Sequence, residues 1–338
     1  MHSRPTYLRI LYEGTRAFLI FAALVLLWTY SIRPAIEKDP PPIDDKAVAA
    51  AEEAMKAPFD EENPPVIWRK VDYTNEDAPW RNAKQAPILD TLVQSGVLPP
   101  VEERVPEEPL VLEGVEGNGN FGGSWFRVAN SPSDLDGSYG RISGTTLVRW
   151  SPQGEPIVAH IAKSWESSKD KRVWTFHLRK GMKFSDGHPF TSEDILFWWE
   201  NDIINRDMPP PDFMQVGSEV GELVALDEYT IQMRYPKPKP LLLQELTTMR
   251  EFFRPKHYLE PYHPITGDPE VIQAVMEARS IPTELGVYNS MKDWQNPECP
   301  SLHPWLYRTH RSNSPFTFVR NPYYFAVDPE GNQLPYLD

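Results

Sequence analysis

Val173-Trp174-Thr175-Phe176-His177-Leu178-Arg179 is the stretch on which the reading of the fold turns. Its large apolar side chains recur at every second position, the period of an extended strand. Trp174, Phe176 and Leu178 share one face, and Thr175, His177 and Arg179 share the other. The pattern predicts a half-buried strand with its polar face toward water. Lys180-Gly181 then turns the chain into a short strand carrying Met182 and Phe184, and Ser185-Asp186-Gly187 turns it again. Thr191 is placed to cap a helix, with Asp194 three residues on as its capping-box partner. Ile195, Phe197, Trp198, Trp199, Ile203 and Ile204 supply the apolar surface of that helix.

On the N-terminal side, Pro87 to Gly96 reads as a short helix with apolar Ile88, Leu89, Leu92 and Val93. A glycine-rich stretch then leads into Ser124-Trp125-Phe126-Arg127-Val128, which reads as a strand. Thr145 to Trp150 is a short amphipathic segment. On the C-terminal side, Tyr229 to Tyr235 and Phe316 to Val319 read as strands, and Pro240 to Glu251 and Val271 to Ala278 as helices. Strands and helices interspersed in this way argue for α/β or α+β layers.

The chain has 338 residues and a formal net charge of −14. An acidic surface repels a phosphate backbone, which argues against a nucleic-acid partner. Its 36 prolines are about twice the ordinary share, and much of the excess lies before residue 110. Asp39-Pro40-Pro41-Pro42 favours an extended, semi-rigid conformation, so residues 34–86 read as a proline-rich, acidic stalk in which Ala47 to Lys56 could form a short helix. Ahead of it, Ala17 to Ile32 carries no charge and follows Arg4, Arg9 and Arg16. Sixteen helical residues span about 24 Å, near the short limit for crossing a bilayer. Residues 1–33 therefore read as a signal or anchor segment, with residues 17–32 in the membrane and the bulk of the chain outside the cytoplasm.

The single cysteine, Cys299, excludes an intrachain disulfide and a cysteine-built zinc site. The glycines before Ser124 lack the lysine of a phosphate loop, and they precede a strand rather than follow one. No GxSxG elbow and no HExxH pair occurs. Asp134-Leu135-Asp136-Gly137 starts like a calcium loop, but its sixth position is Tyr139 and its twelfth is Thr145. A glycoside hydrolase needs two carboxylates flanking the scissile bond, and no pair with a defined spacing stands out. These readings give no catalytic residue, no metal and no cofactor.

The segment from Leu147 to Glu200 carries a specific resemblance. Its pieces are Ala162-Lys163-Ser164-Trp165-Glu166, Trp174 to Arg179, Gly181, Phe184, Asp186-Gly187, Pro189, Thr191 and Asp194-Ile195. Together they resemble the signature region of the bacterial extracellular solute-binding proteins of family 5, which bind oligopeptides, dipeptides or nickel for ABC importers. Arg320-Asn321-Pro322-Tyr323-Tyr324-Phe325 is similar to a later stretch of that family, and the resemblance covers residues 87–338. It implies a clamshell of the type II periplasmic-binding-protein kind, with residues 87–338 forming its N-terminal lobe incompletely and most of a second lobe missing from this sequence. It implies a periplasmic or outer-face location, a peptide or other small solute as ligand, and a membrane permease as partner. If that topology holds, the loop from Asn130 to Tyr139 faces the cleft, with Ser133, Asp134 and Tyr139 as ligand-binding candidates. The alternative class is a membrane-anchored sensor or scaffold without a transport role.

Overall fold

The structure, a computed structural model, describes residues 14–23, 71–114, 117–128, 133–151, 154, 156–205, 208–250, 252–309 and 315–338. The chain divides into two units, Met1–Glu62 and Asn63–Asp338. In the first unit, residues 14–23 are helical and almost wholly exposed. No helix among the described residues is long and apolar enough to cross a membrane, so the expected transmembrane helix is not shown. The rest of that apolar run lies outside the described residues, as do the proline stretch and the expected helix at Ala47 to Lys56.

The second unit runs, in chain order, through α1 (Asp90–Gln94), β1 (Leu110–Val111), α2 (Ser133–Ile142), β2 (Val148–Trp150), β3 (Ile157–Ala159), β4 (Ala162–Ser167), β5 (Val173–Leu178) and α3 (Ser192–Phe197). It continues through β6 (Glu222–Asp227), β7 (Thr230–Arg234), α4 (Pro269–Arg279), α5 (Glu284–Met291), β8 (Trp305–Tyr307), β9 (Phe318–Arg320) and β10 (Ala326–Val327). Four strands form one antiparallel sheet in the order β4-β5-β7-β6. The quoted strand lies inside that sheet, with Trp174 opposite Met233 and Phe176 opposite Ile231. Its apolar face is buried: Trp174 is 3% exposed, and Phe176 and Leu178 are 0%. Burying a side chain of this size contributes about 1.5–3 kcal/mol. The other face is polar but not bare, because Gln232 donates to the Thr175 hydroxyl at 3.0 Å across the strands.

Helix α3 starts where its cap predicts. The Thr191 side chain accepts from Glu193 N–H, and Asp194 returns the bond to Thr191 N–H at 2.9 Å. After Phe197 the helix widens into a π segment, Trp198–Ile204. Such segments are uncommon and need packing to hold them. Here Trp198 and Trp199 sit in the main core, and His263 Nε2 meets the Asn201 carbonyl at 3.1 Å.

Several expectations need correcting. Ser124–Val128 is not a strand: it pairs with nothing among the described residues, and Phe126 and Val128 are 88% and 97% exposed. A β-prone sequence without a ladder to join has no reason to order as a strand. The Met182–Phe184 segment makes only a single isolated bridge, Lys183 to Pro189, although both apolar side chains are fully buried. The helix expected from Pro240 shrinks to Leu242–Leu246. Residues 71–86, read as the end of the stalk, fold onto the second unit: Ala78, Trp80 and Val327 form a small core, and Lys84 bridges Asn332. Arg179, placed on the solvent face, is 2% exposed. It donates through Nε to the His160 carbonyl at 2.5 Å and through Nη1 to the Pro109 carbonyl at 3.0 Å and the Tyr73 hydroxyl, so these donors are paired inside the protein.

Candidate functional site

Most of the expected loop is helix α2, and Tyr139 on that helix lines a cleft. Tyr139 stacks on Trp294 with ring centroids 4.1 Å apart and planes 10° apart. Tyr307 of β8 meets Trp294 edge-on at 5.4 Å, and Phe318 of β9 lies parallel to it at 6.3 Å. The helix is held there because Arg250 donates to the Gly140 carbonyl; a Cβ at Gly140 would sit 2.8 Å from that guanidinium. Asp134 is exposed near the start of the same helix, and Ser133 opens its first turn. Asp134 is not among the described residues that line the cleft, whereas Tyr139 is.

The cleft encloses about 60 Å³. Its walls come from Tyr139, residues 253–255, the segment after α5, and β8 with Arg308. Sequence reasoning missed every part but Tyr139. The signal available was the density of aromatic and basic residues in Trp294 and Trp305-Leu306-Tyr307-Arg308. Behind one wall lies a buried charge cluster: Asp202, in the π segment, accepts from Arg254 at 2.8 Å and from Lys292 at 3.2 Å. Burial alone would raise the Asp202 carboxyl, but the two cations outweigh it and hold it below the usual carboxylate range. A buried ion pair of this kind is weak evidence for stability, but removing one partner strands the other charge. Arg254 and Lys292 thus face the cleft with their positions fixed.

The signature turn builds a second polar cluster. Asp186 accepts from His188 N–H at 3.1 Å, and its other oxygen lies 2.7 Å from His257 Nε2. The His188 and His257 rings stack at 3.7 Å. Burial acts to raise Asp186, but these hydrogen bonds overcome it and its carboxyl lies lower than usual. Gly187 takes φ +91°, a conformation open to glycine at little cost. Asp194 accepts a second backbone N–H, from Lys256 at 3.1 Å, and so ties the start of α3 to the segment after Arg254. Burial pushes its carboxyl up to about 6 against the pull of both N–H groups. These groups brace the scaffold, as expected of a turn and a helix cap. Among the described residues, no group of three or more His, Cys, Asp or Glu is arranged to hold a metal ion.

Residues 156–338 match the family model described as bacterial extracellular solute-binding proteins, family 5 Middle. The chain belongs to this family. The periplasmic α-galactoside-binding protein of Rhizobium meliloti is 28% identical over 277 residues, covering 74% of this chain and 37% of that protein. A solved oligopeptide-binding protein OppA superposes with a TM-score of 0.71 at 41% identity, over 76% of this chain and 40% of that one. The periplasmic binding protein MelB of Agrobacterium fabrum, solved with stachyose, superposes at 0.59 with 28% identity over the same shares, 76% and 40%. These relatives are binding proteins rather than enzymes, and the family 5 chain described here spans 37% to 40% of their lengths.

Proposed function

We propose that this chain is the solute-recognising portion of an extracytoplasmic component of an ABC importer, and that its solute is a peptide. The observation that carries the reading is the 41% identity and 0.71 TM-score to an oligopeptide-binding protein. On this reading Tyr139 forms part of the ligand-facing wall, with Ser133 and Asp134 at the start of the same helix, and a permease is the partner that takes the solute. The protein works in the periplasm or on the outer face of the cytoplasmic membrane, as the names of its relatives suggest for them, with residues 17–32 engaging the membrane. On the same reading residues 1–33 are the signal or anchor segment, 34–70 the stalk, and 71–338 the binding lobe, because residues 71–86 pack on it.

A second reading rests on a specific observation. The α-galactoside-binding relative and the stachyose complex cover as much of this chain as the peptide-binding one does. An aromatic wall such as Tyr139 with Trp294 suits the apolar face of a sugar as well as a peptide side chain. Calorimetry of the chain with mixed tripeptides and, separately, with stachyose decides between them. Heat with peptides and none with stachyose supports the peptide assignment; the reverse sinks it and leaves the family unaffected. A sensor without a transport role is distinguished in cells: deleting the gene would leave solute uptake unchanged.

A further inference from the structure

Asn118 is the one asparagine in the chain that is followed by glycine. It lies in an irregular, exposed stretch, Gly117 to Asn120, outside every helix and strand. Packing demands the glycine. A Cβ at Gly119 would lie 2.6 Å from the Tyr336 ring, closer than a side chain can approach. The same missing Cβ leaves the Gly119 nitrogen without steric cover toward Asn118 and opens conformations that other residues avoid. Residues 117–123 form a strap over residues 336–338. Phe121 meets Tyr336 edge-on at 5.7 Å, and the Arg320 guanidinium lies 5.3 Å from the centre of the Phe121 ring. Gly122 N–H donates to the Tyr336 carbonyl at 3.0 Å, and Asp338 N–H donates to the Gly123 carbonyl at 3.2 Å. The Tyr336 hydroxyl in turn donates to Asp328 at 2.6 Å.

We propose that Asn118 is a site of spontaneous deamidation, gated by the docking of Gly119 on Tyr336. In the reaction the Gly119 nitrogen gives up its proton and bonds to Cγ of Asn118. The Cγ–Nδ2 bond breaks, and the amide group leaves as ammonia with that proton. Water then opens the cyclic imide. Cleavage at Cγ gives aspartate; cleavage at the main-chain carbonyl gives isoaspartate, whose backbone is longer by a carbon atom. Water is the only co-reactant, and asparagine is among the thermolabile residues. While the strap is docked, Gly119 is held against the Tyr336 ring and ring closure lacks room. The reaction therefore runs through the moments when the strap lifts. Either product adds negative charge to a chain already at −14, against a segment that carries Asp328 and Glu330. Isoaspartate also shifts Gly122 and Gly123 out of register with Tyr336 and Asp338. The consequence is a one-way loosening of the strap with age, whichever solute the protein binds.

The test is mass-spectrometric peptide mapping of the full chain aged in mildly alkaline buffer, both native and unfolded in guanidinium chloride. Labelling with an isoaspartyl methyltransferase separates isoaspartate from aspartate. Asn289, followed by serine inside α5, is the comparison residue. In the native chain Asn118 should gain about one mass unit, and should do so about tenfold or more faster than Asn289. In guanidinium the Asn118 rate should rise about threefold or more, because the gate is gone. Tyr336→Ala should bring the native rate toward the unfolded one. Phe121→Ala, which loosens the strap without touching Tyr336, should act in the same direction. Aged chains should exchange the Gly122 and Asp338 amide hydrogens faster than fresh ones. If Asn118 stays intact in the native chain as long as Asn289 does, the site is overturned. If its native rate equals the unfolded rate, or if neither Tyr336→Ala nor Phe121→Ala raises it, the gate is overturned and the proposal with it.

Discussion

Replacing Asp194 with asparagine sets two opposing effects of burial against each other. The carboxylate is 4% exposed and accepts backbone N–H bonds from Thr191 and Lys256. Those bonds favour the ionised form, and burial disfavours it. Burial wins, raising the group from 3.8 to about 6. The folded chain therefore holds this proton more tightly than the unfolded chain. Its contribution to stability is present in full below the unfolded value and is lost as pH rises through the folded one. A shift of this size corresponds to about 3 kcal/mol in full, of which about 2 kcal/mol is recovered on acidifying from pH 7 to pH 4. Asparagine keeps the shape and cannot titrate. Urea denaturation of the parent and Asp194→Asn at several pH values between 4 and 7 gives the difference curve, in which all other groups cancel. The parent should gain about 2 kcal/mol relative to the variant by pH 4. A flat difference, or one that favours the parent as pH rises, would mean that the N–H bonds dominate and that the desolvation argument is wrong.

Three further outcomes follow from packing. Phe176→Ala, at a fully buried position in the sheet, should cost about 3–5 kcal/mol, read as a lower urea midpoint at unchanged slope. Arg179→Met removes the donors that hold the His160 and Pro109 carbonyls and the Tyr73 hydroxyl. It should cost about 3 kcal/mol or more and make the chain near Tyr73 cleavable by protease before the main core unfolds. Gly187→Ala forces a side chain into φ +91°, with its Cβ 2.9 Å from the Tyr323 hydroxyl. It should cost about 1–3 kcal/mol in thermal melts, and Tyr323→Phe should not rescue it because the backbone strain remains.

The sequence was most legible where a local rule and the packing agree. The alternation in Val173 to Arg179 and the Thr191–Asp194 box each specify an element through neighbours in the chain, and both elements stand where expected. The failures share a cause: the deciding partner is remote. Ser124–Val128 has the composition of a strand, but a strand exists only with a neighbour to bond. Arg179 falls on the polar face by alternation, yet Tyr73, 106 residues away, helps to enclose it. The family resemblance implies a loop from Asn130 to Tyr139, but Ser133–Ile142 is helix α2, docked by Tyr139 on Trp294 and by Arg250. The cleft was the least legible part. Its walls gather residues from 139 to 308, and no spacing rule joins Arg254 to Tyr307.

The short parallel pair β1 and β10 has a consequence for the order of events during synthesis. Leu110 aligns with Ala326, and the buried Arg104 nearby donates to the Pro322 carbonyl and the Gln333 side chain, 218 and 229 residues further on. The antiparallel sheet, by contrast, closes over a span of roughly 70 residues and can form as soon as β6 and β7 emerge. A chain made from its N-terminus must therefore carry Arg104 and Leu110 without these partners until residues 322–333 have been made. The late closure leaves a long interval in which the nascent chain stays open, the state that a translocation channel or a chaperone can hold.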